Sequence, residues 1–175
     1  MSKYTVLMRR AYRNPDFRLA IGLVLAVLLA GAAAANSQVA AREIYPAPEK
    51  ASVQIAAGLR AAAAAHKNVL LDFGGNWCGD CQVLDIYFHD IGNRPILDAN
   101  YVLVHVNVGH LDENEKIAER FQVPIKKGVP ALVVLDEHGK PLYIQRSGDF
   151  NKMAHMNSSA VTNFLLEWKP AHPAK

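Results

Sequence analysis

Asn68-Val69-Leu70-Leu71-Asp72-Phe73-Gly74-Gly75-Asn76-Trp77-Cys78-Gly79-Asp80-Cys81 is the stretch on which the reading of this chain turns. Val69 to Phe73 is an apolar run of strand-forming residues that carries one acid and breaks at two glycines, which predicts a buried strand followed by a sharp turn. Gln82 to Asp90 reads as helix, so the Cys-x-x-Cys falls where a helix begins. The first N–H groups of a helix lack intrahelical acceptors, and the aligned peptide dipoles add positive potential there. An anion is stabilised at such a place, and a thiolate is one.

Outward from this stretch the pattern alternates. Glu49 to His66 is an Ala-rich helix with Val53, Ile55 and Leu59 as its larger apolar residues. After the motif helix, Arg94 to Ala99 is a short helical or irregular piece. Tyr101 to Val108 is a continuous β-branched strand ended by Gly109. Asp112 with Glu115 three residues later resembles a capping box and predicts a helix to about Phe121, stopped by Pro124. Lys126-Lys127-Gly128-Val129-Pro130 is a loop, and Ala131 to Leu135 is a third strand. Asp136-Glu137-His138-Gly139 is a hairpin turn into a fourth strand at Leu142 to Gln145. A last helix, capped by Ser158 or Ser159, ends near Trp168. The order α-β-α-β-α-β-β-α predicts an α/β fold in three layers, α/β/α, around a central mixed sheet of about four strands.

The net charge of +3 is unevenly placed. Five of the 19 basic residues (Lys3, Arg9, Arg10, Arg13 and Arg18) and only one acid (Asp16) precede Arg42, so the remainder holds 14 basic and 15 acidic residues. That balance gives no argument for nucleic-acid binding. Behind the basic flank, Leu19 to Ala35 is uncharged and ends in small residues. Residues 1–41 are therefore expected to be a signal peptide, with Ala33-Ala34-Ala35 or Val39-Ala40-Ala41 as cleavage site, or an N-terminal membrane anchor. Residues 42–48, with Pro46 and Pro48, are expected to be a linker, and residues 49–175 one domain. Either reading of the N-terminus makes the domain extracytoplasmic, as in the periplasm.

The two cysteines are both in the motif. An exported domain held by disulfides shows several pairs, so bridging distant parts of the fold is not their purpose. A structural zinc site needs four ligands, and there is no second Cys-x-x-Cys. Asp72 is the lone charge in an apolar strand. Its burial is costly unless it is paired or protonated, which marks a functional acid, against the alternative of a strand-end residue that caps a turn.

Val69-Leu70-Leu71-Asp72-Phe73, Trp77-Cys78-Gly79-Asp80-Cys81 and Gly128-Val129-Pro130-Ala131 together resemble the thioredoxin family over roughly residues 50–169, in the form of its exported bacterial members. The resemblance implies that Cys78 attacks, that Cys81 resolves, and that the buried Asp72 accepts the resolving cysteine's proton. It implies a cis bond before Pro130, with the backbone of Val129 presented to a substrate strand and Trp77 at the rim. An ordinary trans proline and a purely packed tryptophan are the alternatives. Gly79-Asp80 stands where the best-known members have Gly-Pro, and His105 aligns with their usual lysine near the acid; Gly79, Asp80 and His105 are thus expected to tune the redox couple.

The expected function is thiol–disulfide exchange with protein substrates, served by a membrane redox partner and needing no cofactor or metal. Two rivals use the same fold. One is a copper-binding chaperone, suggested by Met153-Ala154-His155-Met156 with His138 and by the preference of copper for soft ligands. The other is a redox-inert interaction module.

Overall fold

The computed structural model describes residues 42–171. After a 3₁₀ turn at Pro48–Lys50 come α1 (Ala51–Ala65), β1 (Asn68–Gly74), α2 (Gly79–Phe88), α3 (Arg94–Asn100) and β2 (Tyr101–Asn107). They are followed by α4 (Glu115–Arg120), β3 (Ala131–Leu135), β4 (Pro141–Ile144) and α5 (Ser158–Glu167). The signal or anchor expected in residues 1–41 lies outside the described residues. Among the described residues no helix is long and apolar enough to cross a membrane.

The sheet runs β2-β1-β3-β4. β1 pairs with β2 in parallel and with β3 antiparallel, and β3 pairs with β4 antiparallel. The continuous apolar runs of β1 and β3 fit their central places: every residue of both is buried, whereas β4 at one edge is not. Alternation along β1 divides the core. Val69, Leu71 and Phe73 pack with Ile55 and Ala62 of α1, while Leu70 packs with Leu84 and Phe88 of α2 and with Val161 and Leu165 of α5. Helices cover both faces, as the element order predicts.

Three local expectations differ from what is found. Asp112 caps no helix; its Oδ1 accepts from the backbone N–H of His110, and α4 opens at Glu115. Asn114 precedes α4 in the left-handed region, at φ 54°, and its side-chain amide donates to the carbonyls of Asn107 and Pro48. The residue before α5 is Asn157, without a side-chain cap; the hydroxyl of Ser158 turns instead to Asp90.

The segment 42–48, expected as a linker, is laid onto the domain. Oδ1 of Asn76 accepts from the N–H groups of Ile44 (2.9 Å) and Tyr45 (2.8 Å), and its Nδ2 donates to the Tyr45 carbonyl (2.9 Å). Arg42 bonds Asp85 through its side chain at 2.6 Å, and its carbonyl accepts from Gln82. Tyr45 is consequently 2 % exposed. The prolines that suggested a linker do break helix, but an extended segment has unpaired backbone groups, and Asn76 satisfies them.

Candidate functional site

Cys78 caps α2 from an extended backbone (φ −84°, ψ 112°), and its sulfur accepts from the N–H of Cys81 at 3.1 Å. That is the N-cap geometry in which a side-chain acceptor meets an orphan helix donor. The spacing of three residues brings the second thiol round to the first, and the two are joined as a disulfide, with Cα atoms 5.2 Å apart. Cys78 is 5 % exposed and Cys81 is fully buried, so an incoming thiolate reaches Cys78 first.

The β3 side of the site comes from the Gly-Val-Pro loop. Gly128 has φ 127°, a conformation open to glycine and strained for other residues. The Val129–Pro130 peptide is cis, and the Val129 carbonyl oxygen lies 3.6 Å from Cys78 Sγ. Gln145, buried just beyond β4, fixes this loop from behind. Its Nε2 donates to the Pro130 carbonyl at 3.2 Å and its Oε1 accepts from the Leu132 N–H at 3.1 Å.

Trp77 stands beside Cys78, 48 % exposed. Its Nε1 donates to the Gly109 carbonyl at 2.5 Å, and its ring stacks on that of His110, with centroids 5.2 Å apart. The His110 ring covers one face of the indole and so helps to hold it beside Cys78.

Asp72 is fully buried. Its Oδ2 takes two hydrogen bonds, from the Tyr45 hydroxyl at 2.6 Å and from Nδ1 of His105 at 2.9 Å. Its Oδ1 is buried with no hydrogen-bond partner among the described residues. His105 faces Asp72 because the two are register partners in β1 and β2. Asp85, one turn past Cys81 on α2 and 4 % exposed, lies 3.8 Å from Nε2 of His105 and is also met by His89 and Arg42. Burial opposes charging of His105, but the hydrogen bond and charge of Asp72, with the charge of Asp85, leave its pKa raised. Burial, then the charge of and hydrogen bond to Asp72, push the Tyr45 phenol well above its ordinary range, so it stays a neutral donor.

Tyr45 also closes on the sulfurs. A Cβ at Gly74 would lie 2.4 Å from the Tyr45 hydroxyl oxygen and 2.8 Å from Cys81 Sγ, so hydroxyl and sulfur flank one space that only glycine leaves open, without a hydrogen bond between them. Any side chain at Gly74, the last residue of β1, would fill that space.

Sequence reasoning thus names Cys78, Cys81, Asp72, Trp77, Val129, Pro130 and His105, and the fold brings them to one end of the sheet. Asp80 is near the sulfurs but is engaged elsewhere: its Oδ1 accepts from the Ala154 N–H at 3.0 Å. Gly79 is exposed and touches nothing that a Cβ would meet. Tyr45, Asn76, Asp85 and Gln145 escaped notice in the sequence. The one available signal was Asp85, an acid four residues after Cys81 and so on its face of the helix. The soft-ligand stretch meets the motif through its backbone, the Ala154 N–H donating to Asp80. Met153 is fully buried in the core under α2 and α5, and among the described residues no group of three or more His, Cys, Asp or Glu side chains is placed to hold a metal.

A thioredoxin-like family model matches residues 50–137, half of the chain, and spans β1, the Cys-x-x-Cys, β2 and β3. The chain belongs to the thioredoxin-like family. It is similar to a thioredoxin of Chlamydia pneumoniae, 35% identical over 72 residues, which are 39% of this chain and 59% of that protein. The chain thus spans less than two thirds of that relative. It is also similar to a thioredoxin of Pongo abelii, 26% identical over 104 residues, 59% of this chain and 85% of that one. The crystal structure of a disulphide isomerase from Xylella fastidiosa Temecula1 superposes with a TM-score of 0.69 at 29% identity, covering 72% of this chain and 96% of that one. Thioredoxin-like membership and a Cys-x-x-Cys pair at the head of α2 together support thiol–disulfide oxidoreductase chemistry at Cys78 and Cys81.

Proposed function

We propose that this protein exchanges disulfides with protein substrates through the Cys78–Cys81 couple, and that it does so outside the cytoplasm. One observation carries the chemistry: a disulfide whose more accessible sulfur caps a helix and lies 3.6 Å from the Val129 carbonyl, beside a cis-proline loop. In the reducing direction the Cys78 thiolate attacks one sulfur of a substrate disulfide. A mixed disulfide forms and the other substrate sulfur leaves as a thiolate. Cys81, deprotonated, then attacks Cys78 Sγ, which forms the Cys78–Cys81 bond and releases the second substrate thiolate. Two electrons pass to the substrate and the enzyme dithiol is oxidised.

The substrate segment is held, in this reading, as an added strand. The Val129 backbone is the pairing edge, and the exposed part of Trp77 takes apolar side chains. The N–H groups at the head of α2 stabilise the Cys78 thiolate as attacking group in one direction and as leaving group in the other. A membrane redox partner restores the couple.

Export is supported by the basic and then apolar N-terminus. Catalysed reduction of insulin disulfides by the full chain, abolished in Cys78→Ser, is the expected result, and no acceleration over a dithiol control rejects the activity. Fractionation of cells producing a C-terminally tagged chain tests the location separately: recovery in the cytosolic fraction alone rejects export and leaves the chemistry standing.

A further inference from the structure

The resolving step requires Cys81 to lose a proton in a place without water access, since its side chain is fully buried. Three groups surround that need. The Tyr45 hydroxyl and Cys81 Sγ face each other across the open Cα of Gly74, with no hydrogen bond between them in the disulfide, and the hydroxyl donates to Asp72 Oδ2 at 2.6 Å. The second Asp72 oxygen is buried with a lone pair unused by any described residue. His105 bonds Asp72 from the far side and lines an open groove together with Glu43, Ile44, Pro46 and Gln54. The Tyr45 ring meets the His105 ring edge-on, at 5.0 Å and 66°.

We propose that Tyr45, brought in by the segment before α1, is a positioning residue for resolution: once the disulfide is opened its hydroxyl, already bonded to Asp72, bridges to the Cys81 thiol, and His105 gives the Asp72 proton its way out to the groove. A phenol both donates and accepts, so it spans a thiol and a carboxylate as a fixed water would, without exchanging with solvent. When Cys81 attacks, its proton passes through the hydroxyl to Asp72, and the hydroxyl keeps its proton count. The Cys81–Cys78 bond forms, the bond from Cys78 to the substrate sulfur breaks, and the departing thiolate takes up a proton from solvent. Asp72 then passes its proton to Nδ1 of the imidazole tautomer that carries its hydrogen on Nε2, and Nε2, 3.8 Å from Asp85, gives up that hydrogen to the groove. The charged or titratable groups around this path are Tyr45 and Glu43 from the N-terminal segment, Asp72 from β1, Asp85 and His89 from α2, and Arg42, which closes over Asp85. The segment 42–48 is accordingly part of the active site.

The inference rests on the dithiol reading above, and the test separates the two. Reduced full-length protein is mixed rapidly with oxidised glutathione, and capture by Cys78 and release by Cys81 are timed separately. In Tyr45→Phe, release is expected to slow about tenfold, less than the roughly hundredfold that removing a general base causes, with capture unchanged. Because Tyr45 acts through Asp72, the Tyr45→Phe/Asp72→Asn double variant releases no more slowly than Asp72→Asn alone. Unchanged release in Tyr45→Phe, equal slowing of both steps, or multiplying effects in the double variant overturns the inference. His105→Gln leaves the segment in place and serves if the tyrosine variant misfolds. Its release rate is expected to follow a different pH profile with capture unaltered, and an identical profile overturns the inference. A wild-type protein that captures no glutathione rejects the dithiol chemistry itself, and this inference falls with it.

Discussion

Asp72 and His105 are partners in the parallel register of β1 and β2, and Nδ1 of His105 lies 2.9 Å from Oδ2 of Asp72. Strand pairing brings the two side chains together, so neither is free to relax away when the other changes charge. Asp85 adds a second carboxylate 3.8 Å from Nε2, while burial works against the cation.

The raised pKa of His105 makes part of the fold's stability depend on pH. A group whose pKa is higher folded than unfolded contributes fully below its unfolded value, about 6.5 for histidine, and loses that contribution as the pH rises through the folded value. The stability of wild type relative to His105→Gln is therefore expected to be greatest below about pH 6.5 and to shrink above it. Denaturant unfolding of the oxidised proteins across that range checks this, and a constant difference rejects it.

Asn76 holds the N-terminal segment with three hydrogen bonds, two accepted and one donated. At about 1 kcal/mol net for each, Asn76→Ala is expected to cost roughly 2–3 kcal/mol. The loss is local: hydrogen exchange at the Ile44 and Tyr45 amides should quicken, while the amides of β1 stay protected. Equal acceleration along β1 would mean that Asn76 supports the sheet instead of the segment.

Gly74→Ala places a methyl group 2.4 Å from the Tyr45 hydroxyl and 2.8 Å from Cys81 Sγ, closer than either can tolerate. Tyr45 is the partner that can shift, because Cys81 is fixed within α2 whereas Tyr45 lies in a segment outside helix and sheet. The variant is expected to lose about 1–3 kcal/mol by overpacking and to displace the tyrosine. Its near-ultraviolet circular dichroism should change in the tyrosine region, and wild-type stability with an unchanged spectrum refutes the expectation.

How much of this was legible in advance follows from the range of each interaction. β1, α2 and the cysteine pair were legible because their signals are local: an apolar run, a glycine break, a three-residue spacing. Asp72 stood out because a single charge in an apolar strand has few explanations. Tyr45 was not legible, since its partner Asp72 is 27 residues away and the flanking Pro46 and Pro48 favour a linker reading equally well. Asp85 looked like one more acid on a helix, and only the fold shows that Arg42, His89 and His105 converge on it. Gln145 was invisible for the same reason, as its partners lie on β3 and the cis-proline loop. The capping pattern at Asp112 misled because the same acid closes a tighter turn onto His110.

Asp80 tests whether charge or contact sets the couple's potential. Its carboxylate sits in the first turn of α2, two residues from Cys78, and Oδ1 accepts from the Ala154 N–H at 3.0 Å. An asparagine keeps an acceptor oxygen in that place, so Asp80→Asn removes the charge and retains the bond. The helix loses a favourable acid at its N-terminus, worth about 0.3–1 kcal/mol. The Cys78 thiolate loses a repulsive neighbour, which stabilises the reduced form and raises the reduction potential. A rise on the order of 10–30 mV is expected, since about 30 mV corresponds to 1.4 kcal/mol for this two-electron couple. Equilibration with glutathione buffers measures it. Asp80→Ala, which also frees the Ala154 N–H, separates the causes: a similar rise in both variants assigns the effect to charge, and a rise in the alanine variant alone assigns it to the contact. An unchanged or lowered potential in Asp80→Asn rejects the electrostatic role, because burial and hydrogen bonding around the sulfurs are the same in both proteins.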